Sequence, residues 1–523
     1  MISFIISLVA LVVGYLVYGA IVERVMQPDD RETPAVRLAD GVDYVVLPTW
    51  KVFMIQFLNI AGTGPIFGAI MGMRFGPSSY LWIVLGCIFA GAVHDFMSGM
   101  LSLRHDGANL PTLIGKYLGG GTRKLMLVFT VFLLLMVGAV FVYSPAEILK
   151  GMFSSETMPF LSQSLVWIVI IFGYYIIATL LPIDKIIGRV YPLFAIALLV
   201  MAAGLLVGLF VKMPHLPELW NMGDMSAWTE GQIVDGKDTL GVVGYLQQNP
   251  LFPCLFITIA CGAISGFHAT QSPLMARCLK SERLARPVFY GAMITEGLVA
   301  LIWATVSSYF FYYGGWKEVV SPEVVNDFLA QAQLADGKTL IQYFTAPQVV
   351  NLVCNSWLGI VGGTLAVLGV VAAPITSGDT AFRSARLIIA EALNFEQRSM
   401  VRRLMISVPL FVASLLLLIW QMENPDGFNV LWQYFGWSNQ ALSVFTLWMI
   451  TVYLARNRKA YIITLIPAIF MTVVAVTFLV ASPEAFGKAD LTPWAVVTVI
   501  VVAVIWFALW LKKTRSTKQL ERE

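Results

Sequence analysis

A polar run at residues 376–380, with the sequence TSGDT, interrupts a long apolar stretch of the chain. Three hydroxyls and one carboxylate are oxygen donors of the kind that hard cations prefer. The pattern therefore predicts a site for a coupling ion, either a proton or sodium. A salt bridge between Asp379 and Arg383, which lie four residues apart on one helix face, is the alternative, and both interpretations stay open. The predicted ion ligands in this run are Thr376, Ser377, Asp379 and Thr380.

Other ionisable residues within the apolar segments are His94, Asp95, Glu147, His268 and Glu296. The charge of an imidazole changes near physiological pH, so His268 is suited to move a proton or to bind a carboxylate. A single histidine is also common as a satisfied interior group, but the glycine-rich surroundings of His268 favour a function. His94 and Asp95 are adjacent on a helix and should point in different directions. We therefore expect Asp95 to cap or anchor the loop that contains Arg104.

Two interrupted apolar segments must position these groups. Residues 59–65 (NIAGTGP) break the segment that begins near residue 48, and residues 261–273 (CGAISGFHATQSP) break a later one. Each flanking fragment is about 10 residues long, too short to cross a bilayer alone. Glycine permits unwound backbone and proline interrupts the helix ladder. Paired breaks of this kind indicate the midplane binding site of a transporter.

The half-helices that follow the breaks begin near Gly64 and at residues 269–271. Their N-termini present free N–H groups and the positive end of a dipole, which suit a carboxylate. We predict that the breaks face each other across a cavity, and that the backbone of residues 59–61, including Ala61, faces the ion site. The predicted substrate-binding residues are Asn59, Gly62, Thr63, Gly64, Ser265, Gly266, His268, Thr270 and Gln271.

The composition places these segments in a membrane. Of the 523 residues, 58% are hydrophobic and 12% are charged, whereas soluble domains carry about 25% charged residues. This excludes a soluble globular protein and a disordered chain. The net charge of +3 comes with no basic stripe, so no nucleic-acid partner is expected. Five cysteines without CxxC spacing predict neither disulfides nor a metal site, and no cofactor is expected besides the coupling ion.

Thirteen apolar segments are long enough to span a bilayer. With the C-terminus in the cytoplasm, alternation through thirteen spans places most Lys and Arg residues on the cytoplasmic side. The N-terminus is then outside, and the first segment is not a cleaved signal, because no positive region precedes it. The predicted spans are near 2–22, 48–73, 79–101, 124–148, 164–181, 190–211, 250–277, 286–313, 351–390, 403–420, 428–454, 461–480 and 492–511.

The breaks begin two five-helix units, at 48–211 and 250–454. Because each unit has an odd number of spans, the two have opposite topologies, as in LeuT-type transporters. The predicted fold is an all-α polytopic membrane protein with a 5+5 inverted repeat. An extra helix and cytoplasmic loop occupy 1–47, an outside loop occupies 212–249, and two extra helices with a basic tail occupy 455–523. The outside loops 213–249 and 314–347 are long enough for short helices.

Five motifs resemble the carbon starvation protein A family. They are GTGP at 62–65, GAVHDFM at 91–97, ITIACGAISGFH at 257–268, DTAFR at 379–383 and NQ at 439–440. The resemblance implies a LeuT-like fold and transport of peptides, or of pyruvate with protons, during carbon starvation. In such a fold the helix of Asp379 faces the first break, where oxygen donors hold the coupling ion. His94 departs from the family, which usually has glutamine there, and relatives are often longer.

The leading functional hypothesis is a secondary active symporter in the cell (inner or plasma) membrane. It would import a small carboxylate such as pyruvate, or peptides, by alternating access, and it is not expected to be an enzyme. A membrane nutrient sensor that binds the same ligand without net transport is the alternative. Substrate identity, proton or sodium coupling, and oligomeric state are left open by the sequence.

Overall fold

The structure is a computed structural model, and the chain is almost entirely helical. The structure describes all residues except 154–156, 181–186, 221–232, 235–236, 239–250, 333–339, 398, 425–426, 483–484 and 521–523. The helices up to residue 212 are α1 (Ile2–Met26), α2 (Thr49–Ile60), α3 (Gly64–Gly72), α4 (Ser78–Leu103), α5 (Leu110–Leu118), α6 (Gly120–Lys150), α7 (Ser164–Leu180) and α8 (Ile187–Lys212).

The later helices begin at Leu251. They are α9 (Leu251–Thr258), α10 (His268–Ala276), α11 (Glu282–Phe311), α12 (Pro322–Ala332), α13 (Ala346–Ala392), α14 (Met400–Glu423), α15 (Gly427–Arg456), α16 (Ile462–Ala481) and α17 (Thr492–Leu520). Short helical turns occupy Pro34–Arg37, Met73–Phe75, Gly315–Glu318, Leu340–Tyr343 and Ala489–Leu491. Two short strands, β1 (Ile233–Val234) and β2 (Lys237–Asp238), pair antiparallel.

Among the described residues, nine helices are long and apolar enough to cross a membrane, and the bent pair α2–α3 makes a tenth. Three of the thirteen predicted spans lie outside this set. The α7 segment is short, with 17 residues, α9 and α10 are separated by a break, and α15 carries polar residues such as Asn439 and Gln440. The count of thirteen therefore stays a prediction.

The sequence predicts short helices in the two long loops, 213–249 and 314–347. In 314–347, a turn at Gly315–Glu318 and the helix α12 confirm the prediction. Most of 213–249 lies outside the described residues.

Irregular turns within long helices affect the direction of functional side chains. A π-helical turn occupies Cys87–Gly91 within α4, and another occupies Arg286–Tyr290 within α11. Each π turn holds one more residue than an α-helical turn, which rotates the following side chains relative to a regular helix. The long helix α13 is interrupted at Gly359, whose φ of +67° favours glycine.

Polar and apolar residues alike are buried at the centre of the bundle. Helices α2, α3, α4, α10 and α11 are buried over most of their length, whereas only 11% of the apolar stretch of α17 is covered by protein. An apolar helix with little protein cover is suited to face lipid. The broken helices are therefore the centre, and α17 is peripheral.

Candidate functional site

The first break is a bend between two short helices. Helix α2 ends at Ile60 and α3 begins at Gly64, and the two axes differ by 44°. Ala61 adopts φ −81° and ψ +51°, which is outside the helical region. Pro65 lies in the first turn of α3, where its missing N–H costs no hydrogen bond. The interruption predicted from the sequence is confirmed at residues 61–63.

The second break is longer, and a neighbouring helix supports it. Residues 259–267 lie between α9 and α10 without regular helix, and Gly262 has a φ of +88°. Asn439 of α15 accepts hydrogen bonds from Phe267 N at 2.7 Å and from Ser265 Oγ at 3.0 Å through its Oδ1 atom. Its backbone oxygen accepts a third from Gly266 N at 3.1 Å. Asn439 thus satisfies backbone groups that the break releases.

The two breaks lie against each other. A methyl group added at Gly64 would overlap the side chain of Cys261, and one at Gly262 would lie 3.6 Å from Pro65 Cβ. The sequence predicted that the breaks face each other, with a cavity between them. The facing arrangement is present, but at Gly64 and Cys261 the contact is direct and leaves no space.

All nine predicted substrate-binding residues are buried around these breaks. Several of their polar atoms have no hydrogen-bond partner, namely both side-chain atoms of the Asn59 amide, Thr63 Oγ1 and Gln271 Oε1. Gln271 Nε2 donates to Thr270 Oγ1 at 2.8 Å, and Thr270 Oγ1 donates to Phe267 O at 2.6 Å. Buried polar groups normally find partners, so Asn59 and Thr63 are suited to contact a polar ligand.

The predicted ion ligands divide between two faces of α13. The Ser377 hydroxyl lies 3.1 Å from Leu58 O and 3.0 Å from Asn59 O, the carbonyls at the end of α2. Asp379 instead faces α8, where the Tyr191 hydroxyl donates to its Oδ2 atom at 2.5 Å. Ser377 is thus beside the first break, as predicted, while the structure brings Asp379 to a tyrosine that the sequence did not indicate.

The two threonines of the run bond within their own helix. Thr376 Oγ1 donates to the carbonyls of Ala372 and Ala373, and Thr380 Oγ1 donates to those of Thr376 and Ser377. Their hydroxyl hydrogens are thereby used, while their oxygens can still accept or coordinate.

Arg383, the alternative partner of Asp379, reaches other groups. Its Nη1 atom lies 3.6 Å from Asp43 Oδ1, and its Nη2 atom donates to Ala178 O at 2.9 Å. Arg386 Nη2 lies 3.9 Å from the same Asp43 oxygen. All three charged side chains are buried. Asp43 precedes α2, so this cluster fastens the start of the first broken helix to α13.

Asp95 corrects an expectation from the sequence. Its carboxylate does not anchor the loop of Arg104, because Arg104 forms its ion pair with Glu282, at 2.6 Å. Asp95 Oδ1 lies 2.8 Å from His94 Nδ1, and Asp95 Oδ2 lies 2.8 Å from His268 Nδ1. The adjacent His94 and Asp95 side chains therefore touch, and they face the second break.

The contacts continue from His268 to a glutamate. His268 Nε2 lies 3.4 Å from Glu296 Oε2 of α11, and both side chains are fully buried. Cys261, His268 and Glu296 have ligand-type atoms within 4.8 Å of one another. The Cys261 sulfur accepts a hydrogen bond from Asn439 Nδ2 at 3.5 Å and lies 3.7 Å from Ser265 Oγ. The thiol is thus hydrogen-bonded to residues that support the break.

A cavity opens at the end of the bundle opposite Asp43. It has a volume of about 390 Å³ and is lined mainly by α6, the start of α13 and Phe428 of α15. Glu147 and Lys150 give it both charges, and they form an ion pair at 3.2 Å. The cavity thus lies beside the start of α13, whereas the ion pairs of Asp43 lie near the end of that helix.

Sequence reasoning did not include four of these residues in the site. Asn439, Asp95, Glu296 and Tyr191 each have a polar side chain within an apolar helix. An intramembrane ionisable or amide group is a functional candidate by default, and that signal was available. Their common location around the breaks depends on which helices pack together, and no spacing in the sequence shows it.

The sequence was compared with those of known families and proteins. The model of the family described as carbon starvation protein CstA matches residues 1–160 and 147–478. An uncharacterized membrane protein of Haemophilus influenzae is 44% identical over 60% of this chain and 91% of its own length. Peptide transporter CstA of Bacillus subtilis is 27% identical over 97% of this chain and 96% of its own length. Pyruvate/proton symporter BtsT of Escherichia coli is 31% identical over 55% of this chain, but over only 46% of its own length.

The fold is also found among solved structures. A manganese transporter of Eremococcus coleocola aligns with a TM-score of 0.51 and 12% identity, over 91% of this chain and 99% of that chain. At this identity the similarity shows that the two chains share a fold.

Proposed function

Because the chain belongs to the carbon starvation protein CstA family, we propose that it is a secondary active symporter that imports a small carboxylate such as pyruvate, or peptides. The observation that carries this proposal is the direct contact of two broken helices at Gly64 and Cys261, with buried polar groups around them. Unwound backbone in an apolar bundle is tolerated where it binds something or lines a cavity. The names of relatives support the substrate classes, which include peptides and pyruvate.

We propose that the substrate carboxylate binds at the start of the half-helices α3 and α10. The first turn of each helix leaves N–H groups without helical partners. Thr63 Oγ1 and the Asn59 amide are buried beside α3 and have no hydrogen-bond partner among the described residues. These groups would donate hydrogen bonds to a carboxylate, and pyruvate and a peptide C-terminus share that group.

The proposed architecture is a 5+5 inverted repeat, 48–211 and 250–454, in thirteen spans with the C-terminus in the cytoplasm. The positions of the two breaks, each at the start of one unit, support the repeat. The concentration of Lys and Arg on one side supports the orientation. In this orientation the cavity beside Glu147 faces outward, and Asp43 with Arg383 lies at the cytoplasmic end.

Alternating access follows from this asymmetry of the two ends. The outer cavity of about 390 Å³ is open, while Asp43 lies within 4.0 Å of both Arg383 and Arg386 at the other end. We infer an outward-facing state, in which substrate enters past Glu147. Release to the cytoplasm requires separation of Asp43 from the two arginines.

The coupling ion, a proton or sodium, is proposed to bind between α13 and the first break. Ser377 already contacts the carbonyls of Leu58 and Asn59, and these oxygens with Ala61 form one side of the site. Asp379, Thr376 and Thr380 belong to the adjacent turn of α13 and supply further oxygens. Hard cations favour such all-oxygen surroundings.

Purified protein in liposomes tests the proposal. Labelled pyruvate, lactate, dipeptides and tripeptides are offered with an imposed proton gradient, an imposed sodium gradient or neither. We expect accumulation of one carboxylate class with one gradient, and counterflow of that substrate without a gradient. Binding with neither accumulation nor counterflow contradicts the proposal and identifies a receptor or sensor instead.

A further inference from the structure

We propose that His94, Asp95, His268 and Glu296 form a proton-binding chain, and that the transported proton is held between His268 and Glu296. This inference rests on the proposed symport and adds the identity of one coupling ion and the place where it binds. It concerns a site other than the Asp379 cluster, which offers oxygen ligands rather than an imidazole.

The four side chains form an uninterrupted series of contacts. The steps are His94 Nδ1 to Asp95 Oδ1 at 2.8 Å, Asp95 Oδ2 to His268 Nδ1 at 2.8 Å, and His268 Nε2 to Glu296 Oε2 at 3.4 Å. Every member has 0% exposure. The series joins α4, the first residue of α10 and α11, so three separate elements contribute to it.

The hydrogen-bond requirements at Asp95 fix the tautomers. An ionised Asp95 accepts one bond at each oxygen, so both histidines must present an N–H at Nδ1. The Nε2 atom of His268 then faces Glu296. If neither Nε2 nor the carboxylate carries a proton, two lone pairs oppose each other, and Glu296 Oε2 has no donor among the described residues. One proton shared between these two atoms removes the opposition and gives Oε2 a donor.

The net charge of the four buried side chains also favours an added proton. With both imidazoles neutral and both carboxylates ionised, the four buried side chains would carry two negative charges. The ion pairs of Asp95 and Glu296 in the described part of the protein involve only histidines. Unpaired buried charge is very costly, so one added proton halves the net charge and a second one abolishes it. The chain is therefore built to take up protons.

Two thiols of described residues also lie beside these four side chains. Cys261 lies within 4.8 Å of His268 and Glu296, and the sulfur of Cys87 packs against Gly297, the residue after Glu296. Hydroxyls of Ser98 and Ser272 lie 3.3 Å apart beside the Asp95 turn. A neutral thiol and a neutral hydroxyl add no charge, so they do not replace the proton.

In each proposed transport cycle the protein takes up one proton and releases one proton. In the outward-facing state, a hydronium ion that reaches the second break from the outer side gives its proton to His268 Nε2, which forms an N–H bond and leaves water. This N–H donates to Glu296, and the carboxylate of the substrate binds at the breaks nearby. When α10 moves away from α11 toward the inward-facing state, the N–H bond breaks and water on the cytoplasmic side accepts the proton. The bond from His268 to Asp95 persists through the cycle.

The test uses Glu296→Gln, which keeps the shape of the side chain but cannot hold a proton. A pH-sensitive dye inside proteoliposomes reports proton entry, and labelled substrate reports accumulation and counterflow. We expect wild-type protein to couple the two, and Glu296→Gln to lose proton entry and accumulation while it retains counterflow. The control Glu423→Gln, an exposed residue of α14, makes the same chemical change and should behave as wild type.

Asp95→Asn provides a second variant, because it keeps a hydrogen-bond acceptor for His268 and removes the charge. Thermal unfolding in detergent checks the folding of each variant. Proton-driven accumulation by folded Glu296→Gln overturns the inference, and so does sodium-driven uptake by the wild type without proton entry. Stoichiometric metal in the purified wild type that is lost in Glu296→Gln also overturns it, in favour of a metal site. Absence of counterflow in the wild type would instead overturn the proposed transport function.

Discussion

His268 Nδ1 lies 2.8 Å from Asp95 Oδ2, so the first turn of α10 is hydrogen-bonded to the middle of α4. Helix α4 follows the first break along the chain and α10 follows the second. The bond therefore joins the two halves of the molecule beside the proposed substrate site. A bond of this type between charged groups contributes about 1.5–3 kcal/mol, which is enough to favour one conformation over another.

Thr63→Val tests the substrate site without removing a hydrogen bond within the protein. The Thr63 hydroxyl is buried and has no partner in the described part of the chain, so the variant should unfold at the wild-type temperature. Loss of a hydrogen bond to a charged substrate costs about 1.5–3 kcal/mol, and the KM for uptake should rise about ten- to a hundredfold. Uptake kinetics in proteoliposomes measure this change.

The matched control for Thr63 is Thr477→Val. Thr477 also has a buried, unpartnered hydroxyl, but it lies on α16, outside the proposed repeat. Its KM should not change. An equal rise in KM for both variants would mean that the effect of Thr63→Val is not local, and the assignment of Thr63 to the substrate site would be wrong.

Asp379→Asn separates coupling from structure at the second proposed ion site. The variant keeps the shape of the side chain and can still accept the bond from Tyr191, which is 2.5 Å long in the wild type. If Asp379 binds the driving ion, accumulation is lost while exchange persists. Tyr191→Phe is the companion variant, because it removes the donor and leaves the charge, and it should retain accumulation. Undiminished accumulation by folded Asp379→Asn would exclude the coupling role.

Asp43→Asn should open the cytoplasmic end. It removes the ion pairs with Arg383 and Arg386, both buried, and loss of one partner from a buried ion pair costs about 3–5 kcal/mol. The segment after Asp43 donates from Leu47 N to Cys278 O at 3.1 Å, and Cys278 is buried in the closed state. Maleimide labelling of Cys278, followed by peptide mass spectrometry, should therefore become faster.

The control for Asp43 is Asp30→Asn. Asp30 pairs with Arg283, but both side chains are largely exposed, and the bond from Arg283 lowers the pKa of Asp30 below its ordinary value. Exposed pairs contribute little to stability, so Cys278 labelling should keep the wild-type rate. If Asp43→Asn also labels at that rate, the buried pairs do not hold this end closed.

Gly266→Ala tests the close contact at the second break. An added methyl group would overlap Asn439 O and lie 2.7 Å from the backbone carbon of Leu442, so the backbone must shift. Overpacking of this kind costs about 1–3 kcal/mol, and the unfolding temperature in detergent should fall. Gly173→Ala on α7, with nothing within 4 Å of the added methyl, should leave it unchanged or raise it. Equal unfolding temperatures for the two variants would refute the tight contact.

Local composition by itself determined the membrane class and the two breaks. Twenty apolar residues can satisfy their backbone in lipid only as a helix, and a cluster of glycine with proline cannot continue that helix. These are properties of short segments, so the amino-acid sequence alone predicts the bend between Ile60 and Gly64 and the irregular residues 259–267. The position of Ser377 beside the first break is predicted as well, through a family resemblance.

Tertiary packing alone decided the partners of the charged groups. Helical periodicity predicts that Asp95 points away from His94 and toward the loop that contains Arg104. In the structure the two side chains touch, and Asp95 also contacts His268. The π turn at Cys87–Gly91 adds a residue just before them, which rotates both side chains by about 100° relative to the start of α4. It leaves the angle between the two unchanged, but it alters which helices they face, and periodicity cannot show such a turn. Glu296 and Tyr191 likewise gain their roles because α11 lies beside the second break, where Gly262 approaches Ala300, and because α8 packs against α13. Helix neighbours depend on the summed burial of whole faces, and no single stretch of sequence contains that sum.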